Sequence, residues 1–355
     1  MKGRRKWLIN LLFLAVLTGV TLLAMLRGRD LGDLLEILRD ADDRWLIPGV
    51  GLMILFILGE SVVIHHMLRK MQSPLPFSRC ALCSFVGFFF SCVTPFAGGG
   101  QPAQVLFLRK HGVSSAKAVP MLVLVTITYK LVLVVYGAAV FLLRPEPVWT
   151  ALEPVRTWCL WGFLITSVVV GFLLLVILLP DAMEHLLRLP LSFLQRKFRR
   201  LGEKDLTGRL HIWMAQYRSA AGYLKDLKCL GWVMTVTLIQ RTLLFLVSFL
   251  ALRAFGIRFI TPWAAALQQG MISLGTDLLP LPGGTGANET MFLSLYTPLL
   301  GETALPVLLM CRGISYYAQL LITAVFTAIA LTRQKNMIAE IERKRTWNIK
   351  KEPLP

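Results

Sequence analysis

The chain has 355 residues, of which 55% are apolar and only 16% are charged, and its mean hydropathy is +0.63. Because soluble domains carry roughly a quarter charged residues and are much less apolar, these values exclude an ordinary soluble protein. The formal net charge is +18 at neutral pH. Nucleic-acid binding is a rival explanation of this charge, but the basic residues flank apolar runs, which favours contact with anionic lipid headgroups.

Six apolar runs are long enough to cross the roughly 30 Å of bilayer hydrocarbon as helices. They lie at 7–26, 45–68, 118–143, 158–179, 229–252 and 304–331. The first follows a basic start, as in a signal peptide, but its length and the lack of a cleavage site after it predict an uncleaved helix. Two shorter apolar stretches, 80–95 and 264–279, each end at a glycine-rich break.

The distribution of charge predicts how these helices are oriented. Basic residues cluster at the N-terminus, in 69–79, in 188–228 and in the tail, whereas 27–44 is net acidic. The positive-inside rule then places both termini and the segment 180–228 in the cytoplasm. That segment mixes basic and apolar residues, which predicts amphipathic helices on the inner leaflet, with a partner-binding role as the open alternative.

The two glycine breaks resemble each other and predict an internal repeat. They read TPFAGGGQPAQ at 94–104 and LPLPGGTGANE at 279–289. An offset of 185 residues pairs Pro95 with Pro280, Gly98 with Gly283, Gly99 with Gly284 and Gln104 with Glu289. Since the predicted topology gives the copies opposite orientation, we expect two inverted repeats, 1–150 and 151–332, and a basic cytoplasmic tail, 333–355.

Each broken element, at 80–110 and 264–300, has arms too short to span and is predicted to form a re-entrant hairpin. The expected fold is therefore an all-α polytopic membrane protein with six full spans and two re-entrant hairpins. Proline ends a helix and glycine permits positive φ and close backbone approach. The tips are predicted to contain Pro95, Gly98, Gly99, Gly100, Pro280, Pro282, Gly283, Gly284 and Gly286. We expect them to meet near the midplane, with a plain packing hinge as the alternative.

Ionisable residues within the apolar segments are candidate binding residues, because each costs about 2.5–3.5 kcal/mol on insertion scales. They are Glu60, Lys130, Arg241, Asp277, Glu289 and Arg312, and Gln104 joins them through its alignment with Glu289. The cations would bind the phosphate of a lipid headgroup and the carboxylates would bind an ammonium. The alternative is that Glu60–Arg241 and Glu289–Arg312 are internal ion pairs.

The sequence offers little sign of catalysis or metal binding. Cys80 and Cys83 form a C-x-x-C without a second pair, and we interpret all six cysteines as small apolar packing residues. The adjacent His65 and His66 point about 100° apart on a helix, which favours an interfacial position over a shared metal site. No Ser/His/Asp or H-E-x-x-H set is present, so we predict no catalytic residue, no metal and no cofactor.

The breaks and the helix after the second one resemble the lysylphosphatidylglycerol synthase transmembrane family, the flippase-like domain of the multiple peptide resistance factor. The similarity covers about 1–340 and rests on LPLPGGTGANETMFL (279–293), CRGISYY (311–317) and TPFAGGGQPAQVLFLRKHGVSSAKA (94–118). It implies transport of a lipid, typically aminoacylated phosphatidylglycerol, between the leaflets of a bacterial plasma membrane. Such transport lowers the negative surface charge and gives resistance to cationic antimicrobial peptides.

Two departures from the family keep other functions open. The full-length resistance factor carries a soluble domain that transfers the aminoacyl group from tRNA, whereas here only 333–355 follow the last predicted helix. Gln101 and Gln104 stand where members often have an acidic residue and an arginine. The alternatives are the membrane part of a phosphatidylglycerol lysyltransferase, a scaffold for a separate lipid synthase, and a transporter of polyprenyl-phosphate-linked lipids. Membrane lipids are the expected partners, nucleic acid is not, and a homodimer remains open.

Overall fold

The structure is a computed structural model that describes residues 39–178, 208, 226–277, 279 and 281–332. The described part is helical, with no strand among these residues. The predicted helix 7–26, most of the segment 180–228, the tail 333–355 and Pro280 lie outside the described residues.

Ten α-helices, one π-helix and a final helical segment make up most of the described chain. The first six are α1 (Leu46–Lys70), α2 (Phe77–Val93), α3 (Gly100–Lys110), α4 (Ser115–Leu143), α5 (Glu146–Ala151) and α6 (Arg156–Leu178). The others are α7 (Leu227–Ala254), α8 (Pro262–Thr276), α9 (Ala287–Leu300), α10 (Ala304–Arg312), the π-helix Gly313–Ala318, and α11 at 319–332. Short 3-10 turns at Asp43–Trp45, Pro95–Ala97, Glu153–Val155, Pro282–Gly284 and Gly301–Thr303 join some of them.

Five helical stretches of the described chain are long and apolar enough to cross a membrane. They are Asp43–Lys70, Ser115–Leu143, Glu153–Leu175, Lys228–Ala254 and Pro282–Thr332. The first four coincide with predicted spans, and the fifth contains the predicted span 304–331. Trp161 and Val168 on α6 are 62% and 72% exposed, as expected where a helix faces lipid rather than protein. The described part of the chain is therefore all-helical, and the protein is a membrane-embedded, multi-pass protein.

The predicted element 80–110 is a pair of packed helices, α2 and α3, separated by the first break at 94–99. The arms run antiparallel, because Gly87 on α2 packs against Gln104 on α3 while Gly100, at the start of α3, lies against Ser91 and the Gly87 carbonyl. With 17 residues, α2 is about 25 Å long at the helical rise of about 1.5 Å per residue, shorter than the bilayer core.

The predicted element 264–300 has the same form, with α8 and α9 on either side of the second break at 277–286. Its arms also run antiparallel, since Gly275 lies against Met291 near the break and Tyr296 donates to Gln268 Oε1 (2.9 Å) further along. Thr261 caps α8 by accepting a hydrogen bond from Ala264 N (3.3 Å), and Pro262 occupies the first turn, where its missing N–H costs nothing. Re-entry from opposite membrane faces stays a prediction for both hairpins.

The helices α1 and α7 pack along each other at the centre of the described structure. Each also packs on the first arm of one hairpin, α1 on α2 and α7 on α8. Each hairpin's second arm packs on the helix that follows it, α3 on α4 and α9 on α10, and the two breaks contact each other. The apolar core follows this arrangement, with Phe56, Phe245 and Phe292 nearly inaccessible to solvent. The fold therefore brings both breaks and both central helices to one region.

Candidate functional site

The backbone of the two breaks is alike, but it is aligned differently from the sequence repeat. Phe96 has φ 56° and ψ 16°, and Gly283 has φ 59° and ψ 17°, each directly after the proline of a 3-10 turn. This pairs Pro95 with Pro282 rather than with Pro280. The alignment of the two breaks by sequence matched glycine with glycine. In the structure, Phe96 and Ala97 of the first break have the left-handed conformation that Gly283 and Gly284 have in the second.

Of the two uses of glycine considered from the sequence, positive φ and close backbone approach, the first break shows the second. Gly98 and Gly99 have φ of −70° and −82°, while Phe96 and Ala97 have the positive values. Gly99 and Gly100 instead allow α3 to approach α2. A Cβ on Gly100 would lie 2.8 Å from the Gly87 carbonyl oxygen, and one on Gly99 would lie 2.6 Å from Thr94 Cγ2. In the second break Gly283, Gly284 and Gly286 do take positive φ, as expected.

Glu289 and Arg312 form a buried ion pair beside the second break. Arg312 Nε donates to Glu289 Oε1 (2.6 Å), and the Gly286 N–H donates to Glu289 Oε2 (2.6 Å) at the start of α9. Arg312 Nη2 also donates to the Gly283 carbonyl (3.1 Å). The two residues are only 4% and 8% exposed. Both oxygens of this carboxylate and two guanidinium nitrogens are thus occupied, and the pair fixes the second break to α10.

A second ion pair joins α4 to the end of α8. Lys130 Nζ lies 2.5 Å from Asp277 Oδ2, and the Tyr129 hydroxyl donates to Asp277 Oδ1 (2.6 Å). Neighbouring residues on α4 therefore hold one carboxylate at the C-terminal end of α8. These three residues are only partly buried, in contrast to Glu289 and Arg312. Sequence reasoning named Lys130 and Asp277 but neither their pairing nor Tyr129.

Arg241, in the middle of α7, is held by aromatic rings. Its Cζ lies 3.3 Å from the centroid of the Tyr129 ring and 5.0 Å from that of Phe56. Its Nε is buried and has no hydrogen-bond partner among the described residues. Glu60 and Asp277 are close enough to interact with it electrostatically, but the described part of the chain shows no ion pair to either. Arg241 is therefore a cation within a span whose N–H groups remain available.

Glu60 is bound by an amide instead of a cation. Gln104 Nε2 donates to Glu60 Oε1 (2.6 Å), which links α3 to α1. Gln101, one turn earlier, donates to the Leu122 carbonyl (3.1 Å) and to the Thr126 hydroxyl of α4. The direct pair Glu60–Arg241 considered from the sequence is not formed in the described structure, where Gln104 binds one oxygen of Glu60 instead.

Tyr316, in the π-helix, connects the two hairpins. Its hydroxyl donates to the Cys92 carbonyl at the end of α2 (3.2 Å), and its ring packs against Gly283 of the second break. The Arg312 guanidinium lies 4.6 Å from the centroid of the same ring. Sequence reasoning missed this residue, although an intramembrane tyrosine four residues after an arginine was the available signal.

Other chemistry is sparse among the described residues. All six cysteines are buried and have free thiols. No group of three His, Cys, Asp or Glu side chains gathers in the described ranges in a way that could hold a metal ion. The main polar features of the described membrane region are therefore the two ion pairs, the Glu60–Gln104 contact, Arg241 and the contacting breaks.

The comparison with protein families gives a match that covers most of the chain. The sequence profile described as "Lysylphosphatidylglycerol synthase TM region" matches residues 7–323, which include both breaks and every residue of the charged clusters. This match indicates a function related to membrane lipids. A comparison with curated protein sequences gave no significant match. The chain belongs to the lysylphosphatidylglycerol synthase TM region family.

Proposed function

We propose that the protein moves an anionic or aminoacylated phospholipid, of the lysyl-phosphatidylglycerol class, between the two leaflets of a bacterial plasma membrane. The observation that carries this proposal is Arg241, a guanidinium in the middle of a span with a buried Nε and no hydrogen-bond partner among the described residues. A phosphate in transit would supply the missing partner.

Energetics favour a ligand for Arg241. An arginine within a span costs about 2.5–3.5 kcal/mol on insertion scales, so an unpaired one needs a compensating role. The Tyr129 ring lies against the guanidinium at 3.3 Å and supports it without using its N–H donors. A guanidinium carries five such donors in a planar fork that matches two phosphate oxygens. We therefore assign phosphate binding to Arg241.

The neighbouring carboxylates favour a headgroup that also carries an amine. Glu60 and Asp277 lie within electrostatic range of Arg241, and both keep part of their surface exposed. The ammonium of an aminoacyl headgroup would find acceptors there once its phosphate is bound to Arg241. Glu60 is the stronger acceptor, since Gln104 occupies only one of its oxygens. Asp277 is bound by Lys130 and Tyr129, and Glu289 is bound by Arg312 and Gly286, so both are weaker candidates for this role.

The breaks supply the proposed conformational change. The two breaks contact each other, and Tyr316 hydrogen-bonds to the end of α2. Both contacts join one predicted repeat to the other. Rocking of one repeat against the other would open this region to each leaflet in turn, while the acyl chains stay in lipid. The arms of both hairpins are too short to span, which supports re-entry at the two breaks.

The test is leaflet exchange in proteoliposomes with a panel of lipids. Wild-type protein and protein-free vesicles are compared for lysyl-phosphatidylglycerol, phosphatidylglycerol, phosphatidylcholine and a polyprenyl phosphate. Exchange above the protein-free rate, fastest for lysyl-phosphatidylglycerol, is the expected result. Faster exchange of the polyprenyl phosphate would favour the alternative substrate. Absence of exchange with all four would contradict transport and favour a scaffold for a separate lipid synthase.

A further inference from the structure

A cavity lined by both charged and apolar residues lies at the end of the central helix pair, away from Arg241. It has a volume of about 430 Å³ and lies between the last turns of α1 and the first turns of α7. Its lining consists of Val62, His65, His66, Arg69, Lys70 and Trp232. Neither the family match nor the proposed transport cycle assigns a role to this cavity.

The cavity wall is held in place by specific contacts. The rings of His66 and Trp232 stack with their centroids 4.1 Å apart, which fixes one wall across α1 and α7. His65 Nδ1 lies 2.9 Å from the Leu75 carbonyl, so this nitrogen is the donor and the ring is oriented by it. Lys70 Nζ lies 2.5 Å from Asp226 Oδ2, and Asp226 also caps α7. Ring stacking, a hydrogen bond and an ion pair therefore hold the side chains of His66, His65 and Lys70 in place around the cavity.

The charges of this cavity are not balanced. The hydrogen bond from Lys70 lowers the pKa of Asp226, so this carboxylate is ionised at neutral pH and neutralises Lys70. Arg69 is exposed and forms no ion pair with a described residue. His66 Nε2 is buried and has no hydrogen-bond partner among the described residues. One guanidinium and one buried imidazole nitrogen thus remain available to an acceptor.

The cavity also offers an apolar surface next to these donors. Val62 and Trp232 are 36% and 37% exposed, and they lie one or two turns deeper along the helices than Arg69. Tryptophan and arginine at the end of a span are typical of the membrane–water interface. A ligand with a phosphate at the interface and an apolar part pointing into the membrane fits this arrangement.

We propose that this cavity binds the phosphate of an anionic phospholipid at the membrane surface, with His66 and Arg69 as its hydrogen-bond donors. Basic pockets between membrane helices bind anionic headgroups in this way. A free phosphate ion shares the headgroup chemistry but would leave Val62 and Trp232 without a partner. The proposal is independent of transport, because it concerns binding at one face and does not involve Arg241.

The test is photo-crosslinking of the full-length protein in vesicles with phosphatidylglycerol that carries a diazirine in its headgroup. Crosslinked peptides that contain 62–70 or Trp232 are expected from the wild type, and at least about tenfold fewer from the double variant His66→Gln/Arg69→Gln. Arg44→Gln is the matched control, since Arg44 is an exposed cation before the other end of α1. Arg241→Gln should keep these crosslinks, which separates this cavity from the proposed transport site.

Two further measurements decide the source of the phosphate and guard against misfolding. Crosslinking that excess inorganic phosphate abolishes would assign the cavity to the free ion and overturn the lipid assignment. Equal crosslinking by a phosphatidylcholine analogue, or by the double variant, would overturn the proposal outright. If the double variant does not fold, Arg69→Gln alone serves, because Arg69 is exposed and forms no ion pair with a described residue, and a several-fold loss is expected from it.

Discussion

Tyr129 is the residue on which the proposed anion site depends most. Its ring supports the Arg241 guanidinium and its hydroxyl binds Asp277, so one side chain positions both a cation and a carboxylate. Because the two roles use different parts of the side chain, substitutions can separate them.

We predict that Tyr129→Phe and Tyr129→Leu affect transport differently. Phenylalanine keeps the ring and loses a hydrogen bond to a charged group, so stability should fall by about 1.5–3 kcal/mol with most of the exchange rate retained. Leucine also removes the cation–π contact, and exchange should fall by about tenfold. Leaflet exchange and thermal unfolding in detergent are measured on both. Equal exchange rates for the two variants would show that the ring has no such role.

Glu289 and Arg312 should act mainly on stability. Removing one partner of a buried ion pair leaves an uncompensated charge, so Arg312→Ala should lower the free energy of unfolding by about 3–5 kcal/mol. Glu302, which is exposed at the turn after α9, offers a matched control in Glu302→Ala, with an expected change within about 0.5 kcal/mol. Detergent unfolding followed by circular dichroism measures both. An Arg312→Ala protein as stable as the control would contradict the structural role.

Single residues were easier to identify from the sequence than their partners. Each charged residue in a span stands out against apolar neighbours, so Lys130, Asp277 and Arg241 were all candidates. Their contacts depend on helices that are more than a hundred residues apart in the chain, and no local pattern encodes that distance. Tyr129 was missed because an aromatic residue in an apolar helix looks like core packing.

At the scale of elements, the first break stores backbone strain that the second avoids. Phe96 and Ala97 occupy the left-handed region, where a side chain costs about 1–2 kcal/mol per residue. The second break uses Gly283 and Gly284 at the equivalent positions. The pattern of proline and glycine located both breaks, but it could not show which residues take positive φ, since close packing of α2 on α3 also requires glycine.

This difference predicts opposite effects of two small substitutions in the first break. Ala97→Gly relieves the strain but costs about 0.5–1 kcal/mol for the greater freedom of glycine in the unfolded chain, so it should stabilise the fold by up to about 1.5 kcal/mol. Gly100→Ala places a methyl group against the Gly87 carbonyl and should destabilise by about 1–3 kcal/mol. Thermal unfolding in detergent distinguishes them, and a stable Gly100→Ala protein would contradict the close approach of the arms.

The exposed residues of the first break predict that water reaches this break within the membrane. Pro95–Gly98 are exposed although α2 is too short to span, and non-helical backbone within a membrane must be covered by protein or line a water-filled cavity. Gly98→Cys should therefore react with a membrane-impermeant maleimide in proteoliposomes. Leu321→Cys is the control, because Leu321 is 68% exposed on α11 and should face lipid. The native cysteines are buried and should give little background. Equal labelling of both variants would contradict the predicted cavity.

At the scale of the whole molecule, the sequence predicted most of the described helices, whereas their arrangement as two inverted repeats stays a prediction. Apolar runs predicted α1, α4, α6, α7 and the final helices because a span must be apolar along its whole length. The repeat predicted that the breaks meet, and they contact each other. The π-helix that positions Tyr316 was not predictable, because a helix turn with one extra residue has no distinct pattern of apolar residues in a segment that is apolar throughout.

The charges inside the described membrane region divide between two roles. Glu289–Arg312 and Lys130–Asp277 are ion pairs that join helices. Arg241 instead packs against the rings of Tyr129 and Phe56, near Glu60 and Asp277, which already have hydrogen-bond partners. Because the partner of Glu60 is the neutral amide of Gln104, the charges of Glu60 and Arg241 offset each other without an ion pair, and Arg241 Nε keeps no hydrogen-bond partner among the described residues. The proposed function therefore depends on the passage of a phosphate-bearing headgroup past Arg241.

The most direct test of this claim is the initial rate of lysyl-phosphatidylglycerol exchange in proteoliposomes for Arg241→Gln. Glutamine keeps hydrogen-bond donors but removes the charge, so we expect the rate to fall at least about tenfold, to near that of protein-free vesicles. Arg44→Gln is the control. It makes the same chemical change at a side chain that is 93% exposed, and it should keep the wild-type rate. An Arg241→Gln protein that folds and exchanges the lipid at the wild-type rate would contradict the account.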